Sequence, residues 1–468
     1  MLLAGRHVYA SRPAPVYAPW DGRLLHEVSE ASVDEMDAAA AAAAASVADT
    51  RALAPWRRAE ILRRIATSLR AETEVIAGLI RDEAGKPITL ARAEVSRAAE
   101  TLELCAEEAR RANGEMVPVD AVASGAGRIA FTRRVGRGPV LAITPFNFPL
   151  NLVCHKLGPA LAAGCPIVVK PAEQTPAAAL RLGELVLEAG WPERALSVLP
   201  VPRRAAPQLV ADRRFKVVSF TGSDRVGWAI RAAAPHAQVV LELGGNAAVI
   251  LEPDANLDMA VPRIIAGAYA YAGQVCISVQ HVLVASSRAE ELRERLSVAA
   301  AKVPTGDPAR EDVLCGPMID KANVERLRSW IAEARAGGAS MLVENEGSET
   351  VVGATLLAGV PADARVRTEE VFGPVAHIDS YDDLDTTFHQ LNRGRFGLQV
   401  GMYTRDVRSL LRAQERLEVG AIIHDDVPTF RADPMPYGGV KDSGFGREGP
   451  RYAVEEMTEP RLLVLRND

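Results

Sequence analysis

Over the first 112 residues the apolar positions recur with a helical period. The run "MDAAAAAAAAS" lies within residues 31–48, where Ser32 and Glu35 have capping-box spacing. Alanine is the best helix former, so the composition itself predicts a surface helix. The segment "PWRRAEILRRIATSLRAETEVIAGLIRDEAGKP" keeps the period and ends at the stop signals Gly85 and Pro87. Residues 90–112 read as another amphipathic helix. The pattern then shortens. "GRIAFTRRVGRGPVLAI" gives a strand, a turn at Gly136–Pro139 and a buried strand. From there strands in "GPVLAITPFNFP", "PIVVKPAEQTP", "FKVVSFTGS" and "QVVLELGG" alternate with helices in "LVCHKLGPALAAG", "AALRLGELVLEAG" and "RVGWAIRAAA". This rhythm predicts a parallel sheet covered on both faces. After Gly245 it restarts: helix 257–272, strand 279–285, helices 289–301 and 320–336, then mixed segments to about residue 425, a second α/β domain. The tail "PRLLVLRND" is a short apolar strand that must pair with another element or another subunit.

Length and charge narrow the classes. A chain of 468 residues suggests two or three domains. A formal net charge of −6 disfavours a nucleic-acid or anionic-membrane partner. The five cysteines, Cys105, Cys154, Cys165, Cys276 and Cys315, form no CxxC pair, and no HExxH is present. No disulfide framework or metal site is expected, and a reducing compartment fits. The N-terminus lacks a signal-peptide core, and "VVLELGGNAAVIL" is too short to span a bilayer, so a cytoplasmic protein is expected.

Several motifs carry candidate chemistry, each with a plain structural alternative. In "SFTGSDRVG", Gly222 and Gly227 bracket a strand-to-helix turn whose free N–H groups suit a pyrophosphate, although an ordinary βα turn has the same appearance. In "VVKPAEQTP", Lys170 ends a strand and Glu173 follows, where the pair can bond ribose hydroxyls or simply be solvated. In "TPFNFP", Asn147 lies between Pro145 and Pro149 and can donate to an oxyanion, or be a turn asparagine. Glu242 in "VLELGGN" ends an apolar strand, where burial raises a carboxyl pKa towards that of a general base; a paired structural carboxylate is the equal alternative. In "AYAGQVCISVQ", Ala272 and Gly273 leave access to Cys276, which reads either as a nucleophile held at a helix end or as a buried thiol.

The ordered set "TPFNFP", "VVKPAEQTP", "SFTGS", "LELGG", "GQVC", "EEVFGP" and "MPYGGVKDSGFGREG" resembles the aldehyde dehydrogenase superfamily, of the NAD(P)-dependent, non-acylating type, from about residue 10 to the end. The resemblance implies an α/β fold: a Rossmann-type cofactor domain (residues 1–120 and 140–244), an α/β catalytic domain (245–442) and a small β oligomerisation flap (121–139 and 459–468). It implies a homodimer or homotetramer, with the tail strand on the edge sheet of a neighbouring subunit. It also implies that Cys276 attacks an aldehyde, that Asn147 and the Cys276 N–H hold the oxyanion, and that Glu242 activates the water that hydrolyses a thioester. Lys156 and Glu448 match residues that relay the proton onward. Thr144, Pro145, Phe146, Lys170, Glu173, Gly222, Ser223, Gly244, Glu370 and Phe372 match the cofactor contacts. Glu173 should repel the 2′-phosphate of NADP, so NAD is the expected cofactor, with NADP the alternative.

By the same resemblance the aldehyde tunnel is lined by Phe148, Asn151, Leu152, His155, Val275, Ile277, Thr429, Phe430 and Arg431. An apolar inner end with polar Asn151, His155 and Arg431 farther out predicts a short polar or anionic aldehyde, such as a semialdehyde, a lactaldehyde or a phosphorylated aldehyde. The alternative is that His155 and Arg431 point into core hydrogen bonds. Two positions depart from the family pattern: Asp425, where asparagine is usual, and His281, where a basic residue is common and a structural role is expected. Competing readings are a broad aliphatic and aromatic aldehyde dehydrogenase, an acyl-CoA-forming enzyme, a thiol esterase and a non-catalytic NAD-binding member. Retention of Cys276, Asn147 and Glu242 disfavours the last, and Glu242 disfavours the acyl-CoA-forming enzyme.

Overall fold

A computed structural model describes residues 1–9, 13–111 and 113–466. Residues 10–12 and 112 of the expected cofactor domain, and 467–468 of the expected flap, lie outside the described residues.

Each apolar run that alternates with a helix becomes a parallel strand. Five of them, Val140–Ile143, Ile167–Lys170, Leu196–Val198, Val217–Thr221 and Gln238–Glu242, form the centre of an eight-stranded sheet. In chain order their spatial order is 3-2-1-4-5, all parallel. The direction of winding reverses at Val140–Ile143, which opens a crevice beyond its carboxyl end. Helices Pro55–Ala71, Ile88–Arg111, Asn151–Ala163 and Ala177–Glu188 pack one apolar core on one face. A second core covers the other face. The alanine-rich helix, Val33–Ala45, belongs to that second core: Met36, Ala39, Ala40 and Ala43 form a buried stripe at i, i+3, i+4 and i+7. It is thus not only a surface helix. Its Ser32–Glu35 capping box is present in both directions.

A seven-stranded sheet follows, with six parallel strands and one antiparallel edge strand, Ser340–Glu344. Its central strand Val279–Ala285 has the predicted bounds. The preceding helix stops at Tyr269, short of the expected residue 272, because Tyr271, Ala272 and Gly273 all take left-handed backbone angles (φ 54°, 52° and 63°). After this sheet the chain returns to the first one. Leu241 and Glu242 pair with Phe445 and Gly444, and helix Pro450–Glu456 follows.

The tail strand finds a partner within its own chain: Thr458–Arg466 pairs antiparallel with Arg128–Gly136 over nine residues and forms the edge of their sheet, paired on that one side. Met116–Val117 completes this three-stranded sheet. Among the described residues no helix is long and apolar enough to cross a membrane.

Candidate active site

Cys276 lies seven residues beyond Tyr269, the last residue of the α-helix before it, and not on that helix's terminus. The three left-handed residues turn the chain sharply ahead of it. Gly273 is required there, since a Cβ would fall 2.2 Å from the Gly373 carbonyl oxygen. The turn is pinned from several sides: Tyr271 N–H donates to Leu314 O (2.9 Å), its hydroxyl donates to Ala84 O (3.2 Å), and Gln274 Nε2 donates to Pro317 O (3.2 Å). Cys276 emerges half-buried, while the other four cysteines are fully buried. Its Sγ is 3.0 Å from the Tyr437 hydroxyl. Burial pushes the thiol up to about 12, opposed by the Tyr437 contact; Glu370 raises it further, Arg431 lowers it and Glu242 raises it. Asn147, buried in the loop after Val140–Ile143, donates one amide hydrogen to Gln274 O at 2.9 Å, leaving its second donor for another acceptor.

Glu242 ends its strand with both carboxyl oxygens buried and without a hydrogen-bond partner. Burial, then the Glu448 carboxylate, raise it well above the ordinary carboxylate range. Glu448 goes the other way. Burial pulls it upward, but Lys156, His155 and Arg431 hold it low, at about 2. Lys156 Nζ is 2.5 Å from Glu448 Oε1 and 2.7 Å from Thr221 Oγ1. The two carboxyls of the site are thus shifted in opposite directions, the arrangement that divides acid–base roles.

The anticipated tunnel residues divide. Arg431 Nη2 is 3.4 Å from Glu448 and 3.2 Å from His155 Nε2, and its guanidinium stacks 3.7 Å over the Tyr437 ring. His155 is buried and bonds Asp433 at 3.1 Å, and Arg97 also reaches Asp433 at 2.7 Å. His155 thus sits in a core hydrogen-bond network, as does Asn151, which accepts from Thr101 Oγ1 at 3.2 Å. Ile277 is buried with Leu398 and Tyr437, with Val275 beside them. Leu152 is buried, Phe148 and Thr429 half-buried, and Phe430 exposed. Tyr437, Gln274, Asp433 and Arg97 were not anticipated as site residues. Tyr437 was within reach of sequence reasoning, because it stands inside the "MPYGG" motif.

The crevice at the winding reversal fits a dinucleotide. Lys170 is buried at its strand end, with the Pro171 carbonyl as hydrogen-bond partner (3.3 Å), and Thr144 Oγ1 is buried without a partner. Ser223 caps helix Asp224–Ala233 without using its side chain, and the Asp224 carboxylate accepts from the Arg225 N–H in the first turn. Gly227 lets that helix approach the sheet, because a Cβ would meet Leu243 at 2.3 Å. Gly222 N–H is used by Glu242 O (3.0 Å). Glu370 Oε1 accepts from Gly245 N–H at 3.0 Å, Glu370 Oε2 lies 2.5 Å from where a Gly244 Cβ would stand, and burial raises Glu370 to about 7. Phe146 and Phe372 meet edge to face at 5.9 Å, and Pro145 is half-buried beside them in sequence. Glu173 accepts from the Arg203 main-chain N–H and faces its guanidinium at 3.5 Å.

Both departures have a structural account. Asp425 holds a left-handed backbone (φ 49°), a conformation that asparagine and aspartate tolerate best, and its carboxylate faces His424. His281 is buried edge to face with His377 at 4.2 Å on the neighbouring strand of the second sheet.

The model of the aldehyde dehydrogenase family matches residues 8–463. The chain is 42% identical over 440 residues to 3-sulfolactaldehyde dehydrogenase of Priestia megaterium, covering 94% of this chain and 92% of the relative. It is 35% identical to the NADP(+) succinate-semialdehyde dehydrogenase of Escherichia coli, covering 96% and 93%. The crystal structure of aldehyde dehydrogenase 21 from Physcomitrella patens, in complex with the reaction product succinate, superposes with a TM-score of 0.97 at 37% identity, covering 100% of this chain and 98% of that one.

Proposed function

The chain belongs to the aldehyde dehydrogenase family and is an NAD(P)-dependent aldehyde oxidoreductase, and on that premise we propose that it oxidises a short aldehyde with an anionic far end. One observation carries the substrate class. In the cluster behind Cys276, Arg97, Lys156 and Arg431 face two ionised carboxylates, Asp433 and Glu448, while burial holds Glu242 up towards its neutral form. While Glu242 keeps its proton, three cations thus face two carboxylates in a region of low dielectric, a balance that favours an anion. The named substrates of the two relatives above, sulfolactaldehyde and succinate semialdehyde, end in a sulfonate and a carboxylate.

The chemistry follows from the residues. The Cys276 thiol loses its proton to solvent and the sulfur attacks the carbonyl carbon, while the carbonyl π electrons move to oxygen. The free donor of Asn147 and the Cys276 backbone N–H receive that oxyanion. Bound NAD(P) supplies the acceptor for the hydride that leaves the same carbon. The acyl group remains on sulfur as a thioester. Once its own proton has left by way of Lys156 and Glu448, Glu242, with no competing hydrogen bond, takes a proton from water; the resulting oxygen nucleophile opens the thioester and the sulfur departs as thiolate. Lys156 and Glu448 pass the proton onward. Lys170 and Glu173 hold the adenosine ribose, Glu370 the nicotinamide ribose. The Glu173 carboxylate disfavours a 2′-phosphate, so NAD is preferred, with NADP tolerated because Arg203 offsets that charge.

The test is NADH formation across propanal, benzaldehyde, lactaldehyde, sulfolactaldehyde and succinate semialdehyde, with wild type beside Cys276→Ala. An anionic aldehyde should give the highest kcat/KM, and Cys276→Ala should form no NADH. A preference for propanal or benzaldehyde sinks the substrate reading; activity surviving in Cys276→Ala sinks the mechanism. A higher kcat/KM with NADP than with NAD overturns the cofactor preference.

A further inference from the structure

The Tyr437 hydroxyl lies 3.0 Å from Cys276 Sγ, and among the described residues it is the one side chain in hydrogen-bond contact with that sulfur. Its position is held firmly. The ring is buried against Ile277 and Leu398. The main chain pairs with Glu448 in both directions, Tyr437 N–H to Glu448 O at 3.1 Å and Glu448 N–H to Tyr437 O at 2.7 Å. The Arg431 guanidinium covers one ring face at 3.7 Å. A cation over the ring withdraws electron density from the phenol and makes its O–H a stronger donor. The hydroxyl is thus fixed against the reacting sulfur by the same two-way main-chain bridge that positions the carboxylate of the proton network.

Resting on the assignment of Cys276 as nucleophile, we propose that Tyr437 is a catalytic residue whose O–H donates a hydrogen bond to Sγ whenever the sulfur carries negative charge. Burial and the neighbouring Cys276 push the phenol well up, with Arg431 acting downward and Glu242 upward, so Tyr437 keeps its own proton throughout. The groups facing Cys276 are Tyr437, Glu370, Arg431 and Glu242, and the two carboxyls act against the thiolate. The hydroxyl therefore supplies contact stabilisation where charge alone is divided. It acts twice: before attack, when the thiol proton has left to solvent, and in thioester hydrolysis, when the C–S bond breaks and its electron pair returns to sulfur. No proton passes from tyrosine in either step.

The experiment is alkylation of Cys276 by iodoacetamide against pH, on the full-length protein without aldehyde or cofactor. Tyr437→Phe should raise the apparent pKa by about 1 and, after the compensating gain in nucleophilicity, slow alkylation about threefold at fixed pH. A fluorinated tyrosine at 437 keeps the shape but is a stronger donor, and should shift the profile the opposite way. Superimposable profiles for wild type and the fluorinated form overturn the proposal, even if Tyr437→Phe fails to fold. Alkylation needs no turnover, so a shifted profile in a protein that oxidises none of the aldehydes above would uphold the tyrosine contact while the substrate reading falls.

Discussion

Glu94 and Glu242 are buried to nearly the same degree, at 2% and 3% exposure, in two adjoining regions. Glu94 is fully engaged. It pairs with the buried Lys86 ammonium and accepts the N–H groups of Leu150 and Asn151, both at 3.0 Å, at the start of helix Asn151–Ala163. Lys86 in turn lies 3.7 Å over the Phe148 ring and 4.6 Å over Tyr271, so the pair braces the loop carrying Asn147 and the turn that leads to Cys276. Glu242 is given nothing to bond. A satisfied buried carboxylate fixes structure. An unsatisfied one remains basic and free to take a proton, at a cost in stability. The difference separates support from chemistry more sharply than burial does.

Substitution at the two glutamates should therefore give opposite phenotypes. Glu242→Gln should lower steady-state turnover on the order of 10²–10⁴-fold while a stopped-flow burst of NADH survives, because acylation needs no base at that position. Its melting temperature should not fall. A lost burst, or a large drop in melting temperature, would place Glu242 with Glu94 instead. Glu94→Ala leaves the buried Lys86 without its partner, and urea unfolding should show a loss of about 3–5 kcal/mol. Adding Lys86→Met should restore much of it; if the double variant is no better than the single one, the buried pair is not the source of the loss.

The smallest effect is a difference in pH dependence. Glu242 holds its proton in the folded state above the ordinary carboxylate value of about 4.3, where the unfolded chain has lost it, so stability contributed there falls as pH rises through that window. Glu448 is held low, so its contribution is present above about 4.3 and is lost as pH falls towards about 2. Unfolding titrations of Glu242→Gln and Glu448→Gln should remove slopes of opposite sign. Equal slopes would mean that the two carboxyls do not divide their roles.

Much of the scaffold was legible in the chain. Strand 279–285, the αL stop at Gly85 and the Ser32–Glu35 box rest on signals within a few residues, and the structure has them in place. Other features had no local signature. The buried stripe of Val33–Ala45 is hidden because alanine occupies its exposed positions as well, which leaves no contrast from which to read a period. The early end of the helix before Cys276 depends on contacts to Leu314, Ala84 and Pro317, far from the turn in sequence.

The sequence alone determined the order of strands and helices, the parallel character of both sheets and the presence of motif residues at strand ends, because periodicity and turn chemistry act between near neighbours. The tertiary structure alone decided that the tail pairs within its own chain, that Glu242 goes unpartnered while Glu94 is satisfied, and that Tyr437 meets a cysteine 161 residues away. Desolvation and long-range pairing decide those outcomes, and both depend on which groups the fold brings together, a property no stretch of sequence carries by itself.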